Sequence, residues 1–227
     1  MKPRFSNQRS HALTLVEVLV VIAVLAVLVA MFLPALAKAR RPSYVSCIGT
    51  VKQIGLSFRV WADDHNEKFP MQVSVANGGA MELIATGNVA ACFQVMSNEL
   101  STPKLLTCPE DTSRHYATNF STDLVGKISY FVGLDANTNS PQAFLSGDDN
   151  FEAGGAPVKS GLLELSTNSE IAWTSGRHIS YKEHFWTPTH RIGNIGLADG
   201  SVQPDTSIEL QQAFQQTALA TNRLAIP

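Results

Sequence analysis

The chain has 227 residues, of which 44% are hydrophobic and 16% are charged, and its formal net charge is −2. This length can bury a sizeable core, and the composition excludes an intrinsically disordered chain. The near balance of acidic and basic residues argues against a nucleic-acid partner, and three cysteines are too few for a disulfide scaffold.

A hydrophobic segment follows a short basic leader. Of the 25 residues from 13 to 37, 22 are apolar, and residues 18–37 carry no charge. A helix of about 20 residues spans roughly 30 Å, the thickness of the hydrocarbon core of a bilayer. The leader holds three basic residues and no acid, whereas the chain after residue 42 holds 11 basic and 18 acidic residues. By the positive-inside rule, we expect a single-pass inner-membrane protein whose C-terminal domain is extracytoplasmic.

This apolar segment has three interpretations. Residues 35–37 (Ala-Leu-Ala) have the form of a signal-peptidase site, but the apolar stretch is longer than in secretory signal peptides. In a plain signal anchor, Glu17 would be an interfacial residue near the start of the helix. The third interpretation starts from the cost of a carboxylate in lipid, about 2.5–3.5 kcal/mol at mid-bilayer. Cleavage between Ala12 and Leu13 would create a free amine one helical turn from Glu17, able to neutralise that carboxylate in a neighbouring subunit.

The hexad at residues 12–17, Ala-Leu-Thr-Leu-Val-Glu, resembles the class III signal of type IV prepilins and type II secretion pseudopilins. The resemblance implies that a prepilin peptidase cleaves after Ala12 and that Leu13 is N-methylated. It makes Glu17 the assembly carboxylate at the fifth position of the mature chain, and it matches Pro34 to a helix-kinking proline. Ala12 replaces the usual glycine, and Leu13 replaces the usual phenylalanine. The implied partners are other pilin or pseudopilin subunits, the prepilin peptidase, the inner-membrane assembly platform and inner-membrane lipid.

The predicted helix continues as an amphipathic stem over residues 38–65. Apolar residues recur at spacings of three and four and therefore lie on one helix face. They are Tyr44, Cys47, Val51, Ile54, Phe58 and Trp61. We expect this face to pack on the extracytoplasmic domain, and we expect Pro34 and Pro42 to bend the helix.

Residues 66–227 are predicted to form the extracytoplasmic domain. Residues 66–80 are typical of a loop, and Val89–Leu100 of a short helix. Short runs typical of β-strands follow, each bounded by turn residues. They are Lys104–Cys108, Ile128–Leu134, Gly161–Leu165, Glu170–Thr174 and Ile192–Ala198.

A terminal helix is predicted from Thr206 and Glu209, which form a capping box, to about Thr221. The predicted fold is therefore α+β: a long N-terminal transmembrane-plus-stem helix packed on a small antiparallel sheet, as in pilins.

The segment from His190 to Gly200 resembles the His-x-Asp-Gly tail of many bacterial pilin-like proteins. Gly193-Asn194 and Asp199-Gly200 are turn dipeptides around a short apolar strand, and Asp199-Gly200 predicts a tight hairpin.

Three histidines and two acids in the C-terminal third invite a metal site or a catalytic His–Asp pair. They are His178, Glu183, His184, His190 and Asp199. Their spacing suits neither a helix face nor a metal-ligand pair on one strand, and no HExxH, GxSxG, P-loop or paired CxxC motif is present. We interpret these histidines as surface or turn residues.

Asp148, Asp149 and Asn150 form a short acidic stretch, and some major pseudopilins bind calcium. The stretch lacks the regular ligand spacing of a calcium loop, so we interpret it as a solvated loop and predict no cofactor.

The three cysteines leave several pairings open. Cys92 with Cys108 would close a local loop, Cys47 with Cys108 would join the stem to the domain, and three buried thiols are the remaining alternative.

The sequence thus divides into a leader at 1–12, a transmembrane and assembly segment at 13–37, a stem at 38–65 and a domain at 66–227. The predicted function is a structural subunit, not an enzyme, that assembles into a type II secretion pseudopilus or a type IV pilus-like filament. We favour the pseudopilus because no adhesive module is evident. The alternative is a signal-anchored extracytoplasmic binding protein or hydrolase that uses the region from His178 to Asp199.

Overall fold

A computed structural model describes residues 15–38, 43–174, 177–180, 190–217 and 219–227. The chain divides into two compact units, residues 1–42 and residues 43–227. The first unit contains helix α1 (Leu15–Lys38), whose large aliphatic side chains between Leu15 and Val29 are 45–79% exposed. No helix in the described ranges has both the length and the apolarity needed to cross a membrane.

The second unit contains five further helices in its described residues. They are α2 (Ser43–Asp63), α3 (Met81–Ile84), α4 (Val89–Val95), α5 (Ser97–Leu100) and α6 (Ser207–Gln216). The predicted stem helix is confirmed in α2, although its continuity with α1 falls at 39–42, outside the described residues. The predicted helix at 89–100 is present as α4 and α5, which meet at Met96.

The described residues of this unit also form ten strands. They are β1 (Tyr130–Gly133), β2 (Phe144–Asp148), β3 (Phe151–Ala153), β4 (Ala156–Pro157), β5 (Gly161–Ser166), β6 (Ile171–Trp173), β7 (His178–Ser180), β8 (His190–Leu197), β9 (Val202–Thr206) and β10 (Thr221–Ile226). The main sheet is antiparallel and has the order β5-β10-β1-β2-β8-β7, with β9 also paired to β8. A small antiparallel sheet has the order β4-β3-β6. The predicted α+β class and the helix packed on an antiparallel sheet are therefore confirmed.

Strand β8 organises the end of the sheet where the site residues lie. One of its edges pairs with β9, from Ile192 to Gly196. Its other edge is shared: β7 pairs with residues 190–192, and β2 pairs with residues 195–197. Strands β7 and β2 therefore follow one another along the same edge of β8.

One face of the main sheet packs against α2, α4 and α5. The predicted apolar face of α2 is buried there: Cys47, Val51, Ile54, Phe58 and Trp61. The side chain of Tyr44 lies outside the described residues. Alternate strand residues point to opposite faces, so Tyr130 and Val132 join this cluster while Phe131 joins the other.

The opposite face of the main sheet packs against α6 and the small sheet. Its cluster is rich in aromatic side chains, among them Phe131, Phe144, Phe151, Trp173 and Phe214. Helix α6 begins at the predicted capping box, because the Thr206 hydroxyl accepts from the Glu209 backbone N–H and the Glu209 carboxylate accepts from the Thr206 backbone N–H.

Three local predictions are wrong. Lys104–Cys108 contains no strand; Pro103 instead opens a 3-10 turn at Pro103–Leu106, because its fixed φ suits the first position of a helical turn. Helix α6 ends at Gln216, before the predicted Thr221, because the following residues enter β10, which pairs with β1 and β5.

Gly193 and Asn194 do not form a turn but lie inside β8. A side chain at Gly193 would come within 2.5 Å of the Trp173 ring, so glycine is needed there for close packing. Asn194 is buried, and its backbone N–H and its side-chain amide both donate to Asp148 Oδ2 at 2.8 Å.

Candidate functional site

The predicted processing site spans the boundary of the described structure. The leader at 1–12 and the cleavage residues Ala12 and Leu13 lie outside the described residues. Glu17 lies in the first turn of α1, where the partial positive charge of the helix N-terminus favours a carboxylate. Pro34 lies within α1 near its C-terminal end.

The predicted Asp199-Gly200 hairpin is confirmed between β8 and β9. Leu197 and Ser201 face each other across a three-residue loop, and Gly200 has a φ of 82°, in the left-handed region. Asp199 Oδ1 accepts from the Ser201 backbone N–H at 2.7 Å. His190 is the first residue of β8, and its side chain lies outside the described residues.

Two cations of α2 hold this hairpin loop. The Arg59 guanidinium donates to the Ala198 carbonyl at 3.1 Å, and the Lys52 ammonium donates to the Gly200 carbonyl. The Asp-Gly turn of the tail therefore anchors the C-terminal hairpin on the helix that carries the buried apolar stripe.

His178 is not a surface residue, so its sequence interpretation is wrong. It is 2% exposed and lies in β7, where it is the register partner of Ile192 in β8. Its Nε2 lies 3.2 Å from Asp148 Oδ2 and 3.7 Å from Cys108 Sγ. Glu183 and His184 lie outside the described residues.

His178 and Asp199 do not share a site. Asp199 is exposed and follows the end of β8 remote from Ile192, the partner of His178. Five residues of β8 and Ala198 lie between Ile192 and Asp199, which corresponds to roughly 20 Å at the rise of a β-strand.

The acidic stretch is buried, so its interpretation as a solvated loop is also wrong. Asp148 lies in β2 and is fully buried, and Asp149, 8% exposed, follows it directly. Asp148 accepts from Asn194, whereas Asp149 forms ion pairs with Arg177 at 2.6 Å and Arg114 at 2.7 Å. The prediction that no cofactor binds here stays a prediction, and a calcium ion at these residues would compete with both arginines for Asp149.

A buried charge network, comprising Asp111, Arg114, Asp149 and Arg177, was not predicted from the sequence. Arg177 contacts both carboxylates, at 2.8 Å from Asp111 and 2.6 Å from Asp149, and Arg114 also contacts both. Burial opposes ionisation of Asp111, but hydrogen bonds from Ser113 and Ser129 and the charges of both arginines lower its pKa to about 2. No local pattern signals this network, because its members come from three separate segments.

Of the cysteine pairings that the sequence left open, the structure has the one that joins the stem to the domain. Cys47 of α2 and Cys108 form a disulfide with a Cα–Cα distance of 5.8 Å, and it links α2 to the segment before β1. Cys92 is a buried free thiol in α4, and burial raises its pKa. The two disulfide sulfurs and an imidazole nitrogen of His178 lie within 4.8 Å of one another.

The comparisons with known proteins identify one segment. Residues 7–33 match the model of the prokaryotic N-terminal methylation motif, a range that contains Ala12, Leu13 and Glu17. Neither the curated proteins nor the solved structures give a significant match to the chain. The chain therefore carries a prepilin-type N-terminal methylation motif, which supports a type IV pilin-like or pseudopilin-like protein.

Proposed function

We propose that this protein is a structural subunit of a filament that assembles from the inner membrane. The observation that carries the proposal is the N-terminal methylation motif at residues 7–33, which implies processing by a prepilin peptidase and assembly with other pilin subunits. It also suggests a structural subunit rather than an enzyme. In this proposal the peptidase cleaves between Ala12 and Leu13, and the new N-terminus at Leu13 is methylated.

The exposed aliphatic surface of α1 supports this role. Its side chains cannot remain in water without cost, because burying apolar surface is worth roughly 25 cal/mol per Å². Before assembly, inner-membrane lipid covers this surface; after assembly, the α1 helices of neighbouring subunits replace the lipid. Pro34 gives the helix a site at which it can bend during packing.

Glu17 directs the register of assembly in this proposal. Cleavage leaves a free amine at Leu13, four residues before the carboxylate, and the amine of one subunit neutralises Glu17 of its neighbour. A charge pair inside an apolar bundle favours one register, because any slip leaves the carboxylate in lipid without its neighbour's amine.

The residues from Ser43 onward form the extracytoplasmic part of the subunit. Three features hold α2 on the rest of this unit. They are the apolar stripe of α2, the Cys47–Cys108 disulfide, and the contacts of Arg59 and Lys52 with the tail hairpin. We place the subunit in a type II secretion pseudopilus rather than a long pilus, because no adhesive module is evident in the sequence. The assembly platform of the inner membrane is then its further partner.

Within the described residues, the geometry gives no support to the alternative hydrolase. A catalytic histidine must reach substrate, yet His178 is 2% exposed and Asp199 lies roughly 20 Å along the strand.

The charge-neutralising substitution Glu17→Gln in the native host tests the proposal. We expect the variant to lose its leader normally but to be missing from sheared or cross-linked filaments, because the amide cannot pair with the neighbour's amine. The matched control is Glu170→Gln, which neutralises an exposed carboxylate of the folded unit and should assemble like the wild type. Normal assembly of Glu17→Gln would contradict the proposal.

A further inference from the structure

We propose that Cys47, Cys108 and His178 form a latent zinc site that opens when the Cys47–Cys108 disulfide is reduced. The three side chains come from α2, from the segment before β1 and from β7, so the fold rather than a local motif brings them together. All three are buried, and their ligand atoms lie within 4.8 Å of one another. In a tetrahedral zinc site, ligand atoms are separated by about 3.3–3.8 Å, so small side-chain rotations suffice.

The orientation of His178 supports a cation at this position. Its Nε2 faces Cys108 Sγ at 3.7 Å, on the side where a cation shared with the sulfurs would lie. Asp148 Oδ2 lies 3.2 Å from the same nitrogen, so its negative charge favours a cation at this position.

Two polar atoms at the site lack partners in the disulfide form. His178 Nδ1 and Asp148 Oδ1 are buried and make no hydrogen bond within the described part of the chain. Native proteins seldom leave such atoms unsatisfied, because a buried polar atom without a partner has lost its hydrogen bonds to water. A cation bound beside Asp148 would reduce part of this cost, because it attracts the carboxylate whose Oδ1 has no hydrogen-bond partner.

Reduction supplies the ligands. A dithiol reductant donates two electrons to the sulfur–sulfur bond, which breaks, and two protons convert the sulfurs to thiols while the reductant becomes a disulfide. Zinc then binds the two thiolates, and their two protons leave to solvent. Two soft thiolates with one imidazole in a buried site favour zinc over calcium or magnesium, which prefer oxygen ligands.

In this proposal the metal replaces the covalent link between α2 and the segment before β1. The helix stays attached to the domain in both redox states, through a disulfide when oxidised and through zinc when reduced. The inference rests on the buried geometry and is independent of filament assembly.

The test is metal binding by the purified full chain in detergent. The chain is reduced with a phosphine, dialysed against zinc with a competing chelator and analysed for metal content, and cobalt is used in parallel as a spectroscopic probe. We expect one zinc per reduced chain, none per oxidised chain, and a cobalt spectrum with thiolate charge-transfer absorption. Circular dichroism reports whether each sample is folded.

Two variants test the proposed ligands, and a third serves as a control. Cys108→Ser should abolish stoichiometric binding, and His178→Gln should weaken it by roughly tenfold or more. Cys92→Ala is the matched control, since it removes a buried thiol outside the cluster and should bind like the wild type. The proposal is overturned if the reduced wild type takes up no stoichiometric zinc, folded or not, if Cys108→Ser binds as well as the wild type, or if binding is lost in Cys92→Ala.

Discussion

Two buried carboxylates, Asp111 and Asp205, have opposite shifts in pKa because their neighbours differ. Asp111 has two arginines and two serines around it and stays ionised, with a pKa lowered to about 2. Asp205 of β9 is also buried, but its Oδ2 has no hydrogen-bond partner within the described residues. Burial, together with the charge of Glu209, raises the pKa of Asp205 to about 6. Asp111 therefore stabilises the fold as an anion, whereas Asp205 opposes it as an anion.

Asp205→Asn should stabilise the protein at neutral pH. Because the folded pKa of Asp205 is above its unfolded value, the native acid loses stability as the pH rises from about 4 to about 6, and the loss is constant at higher pH. We expect the amide to raise the free energy of unfolding by about 1–2 kcal/mol at pH 7.5, with little gain at pH 4. Urea denaturation at the two pH values measures this, and an equal effect at both would contradict the assignment.

Arg177→Met should destabilise the protein more than Arg114→Met. Arg177 is the more buried of the two, and its loss leaves two buried carboxylates with less compensation, at a cost of about 3–5 kcal/mol. The folded pKa of Asp111 is lowered, so its contribution is present above about pH 4 and is lost as the pH falls toward 2. The difference in the free energy of unfolding between Arg177→Met and the wild type should therefore become smaller as the pH falls. A difference that is constant down to pH 2 would mean that the network is not its source.

At the scale of elements, the hairpin between β8 and β9 depends on one glycine. Gly200→Ala places a side chain at a φ of 82°, and we expect a loss of about 1–2 kcal/mol in the free energy of unfolding. Gly49→Ala is the matched control, because Gly49 lies in α2 where an added Cβ meets nothing within 4 Å. It should stabilise the helix by up to about 1 kcal/mol. Denaturation of the two variants should give opposite signs, and equal shifts would argue against a strained turn.

Elements with local signals were predictable from the sequence. The stripe of α2, the capping box of α6 and the Asp199-Gly200 hairpin each depend on residues a few positions apart, and each is present. Strands β2 and β10 are among those missed, because β2 pairs with β8, and β10 pairs with β1 and β5, all distant in sequence. The same reason explains why His178 and Asp148 were placed on the surface: only the sheet brings β7 and β2 along one strand.

The whole molecule combines an exposed apolar helix with a unit that has its own core and its own covalent link. The domain cores account for the second unit but give no reason for α1 to expose its aliphatic side chains. The methylation motif implies assembly with other pilin subunits, and we propose that α1 is the surface through which they assemble. The proposed function therefore depends above all on processing between Ala12 and Leu13.

Intact-mass and N-terminal peptide mass spectrometry of the mature protein, isolated from membranes of its host, tests that claim most directly. We expect a chain that begins at Leu13 and carries one N-methyl group. A chain that begins at Lys38, or that retains Met1 and the basic leader in the presence of an active prepilin peptidase, would contradict it.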